Sequence, residues 1–224
     1  MAADTQNRAS RRPQGRQIGY AVLATLEALA PPETRFVYSG PVISGTWIGT
    51  WHDEALDEAS KQSLTAWRWQ TFSVELTYRH DLPTQEQTLL ERAHWESEEA
   101  QAREQNDDSR VRDCRAKVEQ ATRTLARLAV LPTGKVFPYE VVLGQLGNAY
   151  WLFLPGELYQ AFQIELRKRF PNNPLFIATI SNNWQPGYLP KASSYGYDIY
   201  QDVISPLAPG CLETLLEAIY RRMR

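Results

Sequence analysis

Apolar residues recur with helical spacing near both ends of the chain. Near the start they fall four, four and three positions apart, at Ile18, Val22, Leu26 and Leu29. This spacing predicts a helix over residues 14–30, and Pro31-Pro32 ends it because proline cannot continue the helical hydrogen bonding. Near the other end, the spacing of the apolar positions predicts a closing amphipathic helix. These positions are Leu212, Leu215, Leu216, Ile219, Tyr220 and Met223.

Residues 84–130 have a composition that favours helix, with ten acidic and eight basic side chains and no glycine or proline. The short polar run at 106–109 predicts a break, because such side chains cap the start of a new helix. In the second half, apolar residues lie at alternating steps of three and four, at Val111, Cys114, Val118, Ala121, Leu125 and Leu128. We therefore expect two antiparallel helices, a charged hairpin that lies on the domain.

Strand patterns precede this hairpin. Residues 35–43 are rich in β-branched and aromatic side chains, and residues 70–78 alternate between apolar and polar. Both patterns predict strands. Between them, residues 45–69 give a poor pattern that fits a long ordered loop or a short helix near 53–60.

After the hairpin the pattern predicts strands, a turn and one further helix. Residues 136–146 and 150–154 are expected to be neighbouring strands joined by a turn at Gly147-Asn148. A helix is expected to open at Pro155-Gly156-Glu157 and to run to about Arg169, and residues 175–180 predict a second buried strand. Together the patterns predict an α+β fold over a single domain, 1–224, with a mixed or antiparallel sheet flanked by helices and a charged helical hairpin insertion at about 84–130.

The charge and composition of the chain indicate which kinds of binding partner to expect. The 24 basic and 26 acidic residues give a formal net charge of −2, so no overall positive field would attract a nucleic-acid backbone. The longest apolar stretches are far shorter than the roughly 18 residues that cross a bilayer, and the N-terminus lacks the apolar core of a secretory signal. We expect a cytoplasmic protein with no transmembrane segment and no nucleic-acid partner.

Two loops that follow apolar strands carry candidate ligands. Glu157 is expected at a helix start, where the helix dipole would stabilise its carboxylate, and it could serve as a metal ligand or a base. Acidic residues are also favoured in any first helical turn, so a structural role stays open. Tyr188 could likewise be either a metal ligand or a packing residue. The chain has three histidines: His52, His80 and His94. Their spacing matches no metal-binding motif.

Four motifs in the second half of the chain resemble a known family. They are Phe153-Leu154-Pro155-Gly156-Glu157, Asn183 with Gly187-Tyr188-Leu189-Pro190, Tyr195-Gly196-Tyr197-Asp198, and Ser205-Pro206-Leu207-Ala208-Pro209-Gly210. In order and spacing they are similar to the C-terminal half of the catalytic domain of neutral/alkaline, non-lysosomal ceramidases, especially the bacterial ceramidase-like members. The resemblance implies a partial catalytic domain that lacks its N-terminal half.

The resemblance further implies a zinc-dependent hydrolase of N-acyl amides, with lipid-like, sphingolipid-type substrates such as ceramide. In that family the zinc ligands are two histidines, the glutamate of the Pro-Gly-Glu motif and a tyrosine of the later loop. Carried over, the last two are Glu157 and Tyr188, and the zinc cofactor would act as a Lewis acid and activate the attacking oxygen. Trp184 and Tyr195 are then candidates to line the lipid groove, although aromatic loop residues pack on their own domain at least as often.

The chain departs from the family pattern in ways that leave two hypotheses open. The two histidine ligands have no counterpart, and the place of the catalytic serine falls among Thr5, Gln6 and Asn7, so we assign no catalytic residue. The chain is either part of a hydrolase completed by a separate or missing N-terminal half, or a non-catalytic binding or structural module. A secretory signal upstream of Met1 would make the protein secreted or periplasmic. Either hypothesis leaves an apolar face exposed where the other half would pack.

Overall fold

The computed structural model describes the backbone of residues 2–43 and 47–223, and the side chains over 13–42 and 48–223. The side chains at the expected place of the catalytic serine lie outside these ranges. The chain divides into two compact units, residues 1–65 and 66–224. The expectation of a single domain stays a prediction, because compactness alone does not show which units fold independently.

The first unit contains two helices and a β-hairpin: α1 (Ala2–Glu27), β1 (Thr34–Ile43), β2 (Trp47–Ala55) and α2 (Glu58–Thr65). The predicted strand at 35–43 is confirmed as β1. The prediction of a loop or short helix is wrong over β2, which pairs antiparallel with β1. Glycine and charged residues give β2 a weak strand pattern, but pairing supplies contacts that the pattern does not contain. Trp51 stacks on Phe36 with ring centroids 5.5 Å apart.

The second unit contains the main sheet and most of the helices. Its elements are β3 (Trp67–Thr77), α3 (Gln85–Glu104), α4 (Asp108–Leu128), β4 (Val136–Leu146), β5 (Ala149–Phe153), β6 (Glu157–Leu158), α5 (Gln160–Arg169), β7 (Leu175–Ala178), β8 (Tyr188–Leu189), α6 (Tyr200–Ile204) and α7 (Cys211–Met223). The sheet order is β3-β4-β5-β7, with two antiparallel pairs and a parallel pair between β5 and β7. The predicted α+β fold with a mixed sheet and flanking helices is confirmed.

One face of this sheet forms the core together with α5 and α7. Alternate residues of β3 and β4 point to this face, because successive strand side chains face opposite sides. Its buried members include Phe72, Val74, Leu76, Tyr139, Val141, Leu152, Phe162, Leu166, Leu215 and Ile219. The apolar stripe predicted for the closing helix is therefore the side of α7 that packs on the sheet.

The predicted helical hairpin is confirmed as α3 and α4. Thr84 and Gln87 form a capping box at the start of α3, and the Asp107 side chain accepts the backbone N–H of Arg110 at 3.0 Å to start α4. Cys114 and Ala121 of the apolar stripe are buried. Among the helices of the described ranges, none is long and apolar enough to span a membrane.

The other face of the main sheet carries exposed aromatic side chains. Trp69 lies opposite Gly144 and is 53% exposed, and Phe176 is 48% exposed. Phe176 stacks on Trp151 with ring centroids 4.2 Å apart. The expected apolar face against which a missing half would pack stays a prediction, because exposed aromatic side chains alone do not show what covers them.

A buried hydrogen bond connects the sheet to the turn that precedes Glu157. The hydroxyl of Tyr139, a fully buried residue, donates to the carbonyl oxygen of Pro155 at 2.6 Å. Burial also raises the pKa of Tyr139, which keeps the hydroxyl protonated as a donor.

Replacing Tyr139 by phenylalanine should lower the free energy of unfolding by about 1–3 kcal/mol, because the Pro155 carbonyl is left buried without a partner. Urea denaturation of Tyr139→Phe against the wild type measures this difference. Tyr197→Phe is the matched control, since Tyr197 is 75% exposed and its loss should change stability by less than about 0.5 kcal/mol. Equal effects of the two substitutions would show that the buried bond contributes nothing.

Candidate functional site

The structure brings Glu157 and Tyr188 next to each other on two short parallel strands. Glu157 of β6 lies opposite Tyr188 of β8, and Leu158 lies opposite Leu189. The backbone N–H of Glu157 donates to the carbonyl oxygen of Gly187 at 2.7 Å, and that of Tyr159 donates to Leu189 at 3.2 Å. The two candidate ligands named from the sequence are therefore neighbours, each with a half-buried side chain.

The expectation that a helix opens at Glu157 is wrong. Residues 157–158 are extended, and α5 begins only at Gln160 with Tyr159 as its N-cap residue. Pairing with β8 captures the Glu157 N–H, so the backbone does not turn into a helix at this point. The helix dipole that we invoked for Glu157 does not position its carboxylate, and strand pairing does so instead.

Gly156 permits the close approach of the two strands. Its φ is +69°, in the left-handed region that favours glycine. A Cβ atom at this position would lie 2.5 Å from the carbonyl oxygen of Gly187, which is backbone and cannot rotate away. The Pro-Gly-Glu sequence is thus explained locally: the glycine makes room for the partner strand that carries Tyr188.

Tyr188 has an environment that keeps its hydroxyl protonated. Partial burial raises the pKa of Tyr188, and the negative charge of the nearby Glu157 carboxylate raises it further. The ring of Tyr200 packs edge-on against that of Tyr188, with centroids 5.9 Å apart. The pair therefore places the carboxyl group of Glu157, which offers hydrogen-bond acceptors, next to the phenol of Tyr188, which offers a donor.

Tyr200 also connects this pair to a large cleft, since its side chain is part of the wall of that cleft. The cleft has a volume of about 810 Å³ and lies between the helical hairpin and the 198–206 segment. Apolar side chains in its wall include Leu82, Leu128, Leu131, Val203 and Ile204. Tyr200 could not be predicted as a site residue from the sequence, because it begins α6, a helix of only five residues, too short for a periodic pattern to mark which side chain faces the site.

The two aromatic residues expected to line a lipid groove have different surroundings. Trp184 is 42% exposed, and its carbonyl oxygen accepts the Gly187 N–H at 3.0 Å, so it belongs to the turn that leads into β8. The hydroxyl of Tyr195 donates to the carbonyl oxygen of Leu207 at 2.9 Å, a contact typical of a packing residue. Neither residue lines the large cleft, and their roles in binding substrate stay predictions.

Tyr195 nonetheless supports the backbone behind Tyr188. Its hydroxyl lies 3.4 Å from Oγ of Ser205, and this Oγ donates to the carbonyl oxygen of Tyr188 at 2.9 Å. Ser205 is itself buried, 1% exposed. The motifs around 195 and 205 therefore act on the site indirectly, by fixing the strand that carries Tyr188.

The described residues do not by themselves fit a zinc ion. A catalytic zinc takes three protein ligands and an open position, whereas Glu157 and Tyr188 offer two oxygen donors. Among the side chains that the structure describes, over 13–42 and 48–223, no group of three or more histidine, cysteine, aspartate or glutamate residues could hold a metal ion. We therefore derive no reaction step through a metal from this chain alone.

Comparison with protein-family models, with curated proteins and with solved structures finds no match to this chain.

The charge coupling between Glu157 and Tyr188 can be measured by titration. Replacing Glu157 by glutamine removes the negative charge beside the phenol, so the pKa of Tyr188 should fall toward the ordinary tyrosine value. NMR of protein labelled with ¹³C at the tyrosine ring, with Tyr188→Phe to assign the signal, measures this pKa. Glu213→Gln leaves Glu157 in place and should not change it. An unchanged Tyr188 pKa in Glu157→Gln would contradict the pairing.

Proposed function

We propose that this chain supplies the glutamate and tyrosine donors of a ceramidase-like amide hydrolase that acts on N-acyl amides of the sphingolipid type. The observation that carries the proposal is the juxtaposition of Glu157 and Tyr188 across β6 and β8. These two residues are 31 positions apart in the sequence, and they are the two to which the family resemblance assigns ligand roles.

The neighbouring cleft supports the proposal that the substrate has a long apolar part. Its volume of about 810 Å³ lies within the roughly 300–1,000 Å³ range of ligand-binding pockets. Its wall combines apolar side chains, such as Leu128 and Val203, with charged ones, such as Arg123 and Arg127. The apolar part would contact an acyl chain, and Tyr200 joins this wall to Tyr188. In this proposal the amide group lies at the Glu157–Tyr188 pair and the chain extends into the cleft.

Hydrolysis of an amide consumes one water and yields a carboxylic acid and an amine, so protons must be accepted and donated close to the carbonyl group. The Glu157 carboxylate is suited to accept a hydrogen bond or a proton. The Tyr188 hydroxyl, kept protonated by its raised pKa, is suited to donate a hydrogen bond to an oxygen. Both groups are held by strand pairing and need little rearrangement to act together.

The remaining zinc donors would come from a second polypeptide or a further segment that supplies the histidines of the family pattern. Zinc, when bound by the full set, supplies Lewis-acid polarisation of the carbonyl group. The alternative is a non-catalytic binding or structural module that retains the second half of the fold. The cytoplasmic location also stays a prediction.

Zinc binding by the purified chain separates these possibilities. Elemental analysis after dialysis, followed by competition with a chromophoric chelator, gives the zinc content and affinity. The proposal expects weak zinc binding that is lost in both Glu157→Gln and Tyr188→Phe, because two donors contribute to it jointly. Glu104→Gln and Tyr197→Phe change the same residue types at exposed positions and should leave zinc binding unchanged.

Two outcomes would contradict the proposal. Zinc binding that survives both substitutions but is lost in His80→Ala would place the metal elsewhere in the chain. Undetectable zinc in the wild type, with all variants folded by circular dichroism, would remove the zinc hydrolase proposal for this chain and leave the non-catalytic module.

A further inference from the structure

Strand β3 forms an open edge of the main sheet. It has 11 residues and pairs with β4 in one continuous antiparallel register. It lies first in the sheet order, so within the described residues no strand pairs with its other side. The strand at the opposite edge, β7, has only four residues. β3 is therefore the longer of the two edge strands.

The hydrogen bonds at the ends of β3 show which of its backbone groups face outward. The carbonyl oxygen of Ala66 accepts the N–H of Gly147 at 3.2 Å, and the N–H of Tyr78 donates to the carbonyl oxygen of Lys135 at 3.1 Å. In an antiparallel pair every second residue bonds to the partner strand, so the even-numbered residues of β3 bond to β4. The N–H and C=O groups of the odd-numbered residues point away from β4, and these residues are Trp67, Trp69, Thr71, Ser73, Glu75 and Thr77.

Only the end of this outward row has a partner. The carbonyl oxygen of Thr77 accepts the N–H of Ala208 at 2.9 Å. From Trp67 to Glu75, the outward backbone groups have no partner among the residues that the structure describes, and the outward residues are exposed. The usual protection of a sheet edge is missing too, because β3 contains no proline, no lysine and no bulge.

An open edge of this kind binds another extended strand, because the N–H and C=O groups of a strand repeat at the matching spacing. A second copy of this chain supplies such a strand, and a twofold axis would pair the two β3 strands antiparallel. One register uses every outward residue from 67 to 75. It places the axis at Thr71, so that Thr71 lies opposite its own counterpart, Trp69 opposite Ser73, and Trp67 opposite Glu75.

The side chains of β3 are compatible with this register. No charged residue of the strand lies opposite a like charge, since Glu75 faces Trp67 and Arg68 faces Val74. Threonine opposite threonine is a favourable cross-strand pair. The side chains of Trp67 and Trp69 are 51% and 53% exposed, and a neighbouring strand would remove part of their apolar surface from water.

We propose that two copies of the chain associate through antiparallel pairing of their β3 strands about a twofold axis at Thr71, which joins their main sheets into one. An interface limited to a single strand from each copy is small, so we expect reversible association with a dissociation constant in the micromolar range. This association does not depend on the proposed hydrolase function, since neither Glu157 nor Tyr188 belongs to β3.

Sedimentation velocity of the chain across the micromolar range measures the association, and amide hydrogen exchange locates it. The sedimentation coefficient should rise with concentration from that of a monomer to that of a dimer. The outward amides of Trp69, Thr71 and Ser73 should exchange more slowly as the dimer forms, because they gain hydrogen bonds to the second copy. The inward amides of β3 bond to β4 in both states and should change less.

Substitutions at the axis test the register. Thr71→Pro removes an outward N–H but no bond to β4, and it should weaken association at least about tenfold. Thr71→Lys and Thr71→Glu each place like charges opposite each other, so each alone should weaken association about threefold. A mixture of these two variants should associate at least as tightly as the wild type, because opposite charges then face each other. Thr122→Lys, at an exposed position of α4, is the matched control and should not change association.

Three results would overturn the proposal. A chain that stays monomeric at high micromolar concentration would leave the edge to a strand of another polypeptide. A dimer whose outward β3 amides exchange as fast as in the monomer would place the contact on another surface, such as the exposed aromatic face of the sheet. Equal association of the lysine variant, the glutamate variant and their mixture would exclude the axis at Thr71, even if Thr71→Pro does not fold. Association that protects the outward amides and is restored by mixing the two charged variants supports the pairing.

Discussion

The parallel pairing of β6 with β8 is the interaction on which the candidate site depends. Each strand is only two residues long, so the pairing rests on a few backbone hydrogen bonds and on the left-handed turn at Gly156. The buried bond from Tyr139 to Pro155 fixes one side of this pairing to the main sheet, and Ser205 fixes the other. Together these contacts hold the side chains of Glu157 and Tyr188 next to each other. Neither β6 nor β8 is a strand of the main sheet.

This arrangement makes the Tyr188 hydroxyl a weaker acid than an ordinary tyrosine. Partial burial raises the pKa of Tyr188, and the neighbouring Glu157 raises it further. A fixed acceptor beside a fixed donor is useful for binding a polar group with both functions, such as an amide. In the proposed hydrolase, the adjacent cleft, whose wall mixes apolar and charged side chains, would then decide which amides bind, since the pair itself recognises only the polar group.

Local patterns predicted most of the second unit and failed where distant segments determine the structure. The helical hairpin, β3, β4, β5 and α7 were predictable because periodicity and capping residues lie within each segment. By contrast, β2 contains Gly49 and three charged or histidine residues in succession, and only its pairing with β1 makes it a strand. The same reason explains β6, where a helix-start signal gave way to a partner strand about 30 residues further along.

In the candidate site, too, some features could be predicted from local sequence and others depend on distant segments. Glu157 and Tyr188 could be named from their places after strands and from the family resemblance, but their adjacency requires the register of β6 on β8. Tyr200 had no sequence signal, because edge-on ring packing is a property of the folded chain. The positions of Trp184 and Tyr195 likewise depend on how an irregular loop folds back, which no residue pattern specifies.

A crystal structure of the full chain soaked in zinc, with anomalous diffraction recorded at the zinc absorption edge, tests the central claim most directly. A weakly occupied anomalous peak is expected about 2.0–2.2 Å from a carboxylate oxygen of Glu157 and in contact with the hydroxyl of Tyr188, because this chain supplies only two of the donors that a full zinc site needs. The β6–β8 pairing should be intact in the same crystal. A crystal in which the two side chains point away from each other, or in which zinc binds only at histidines elsewhere, would contradict the account.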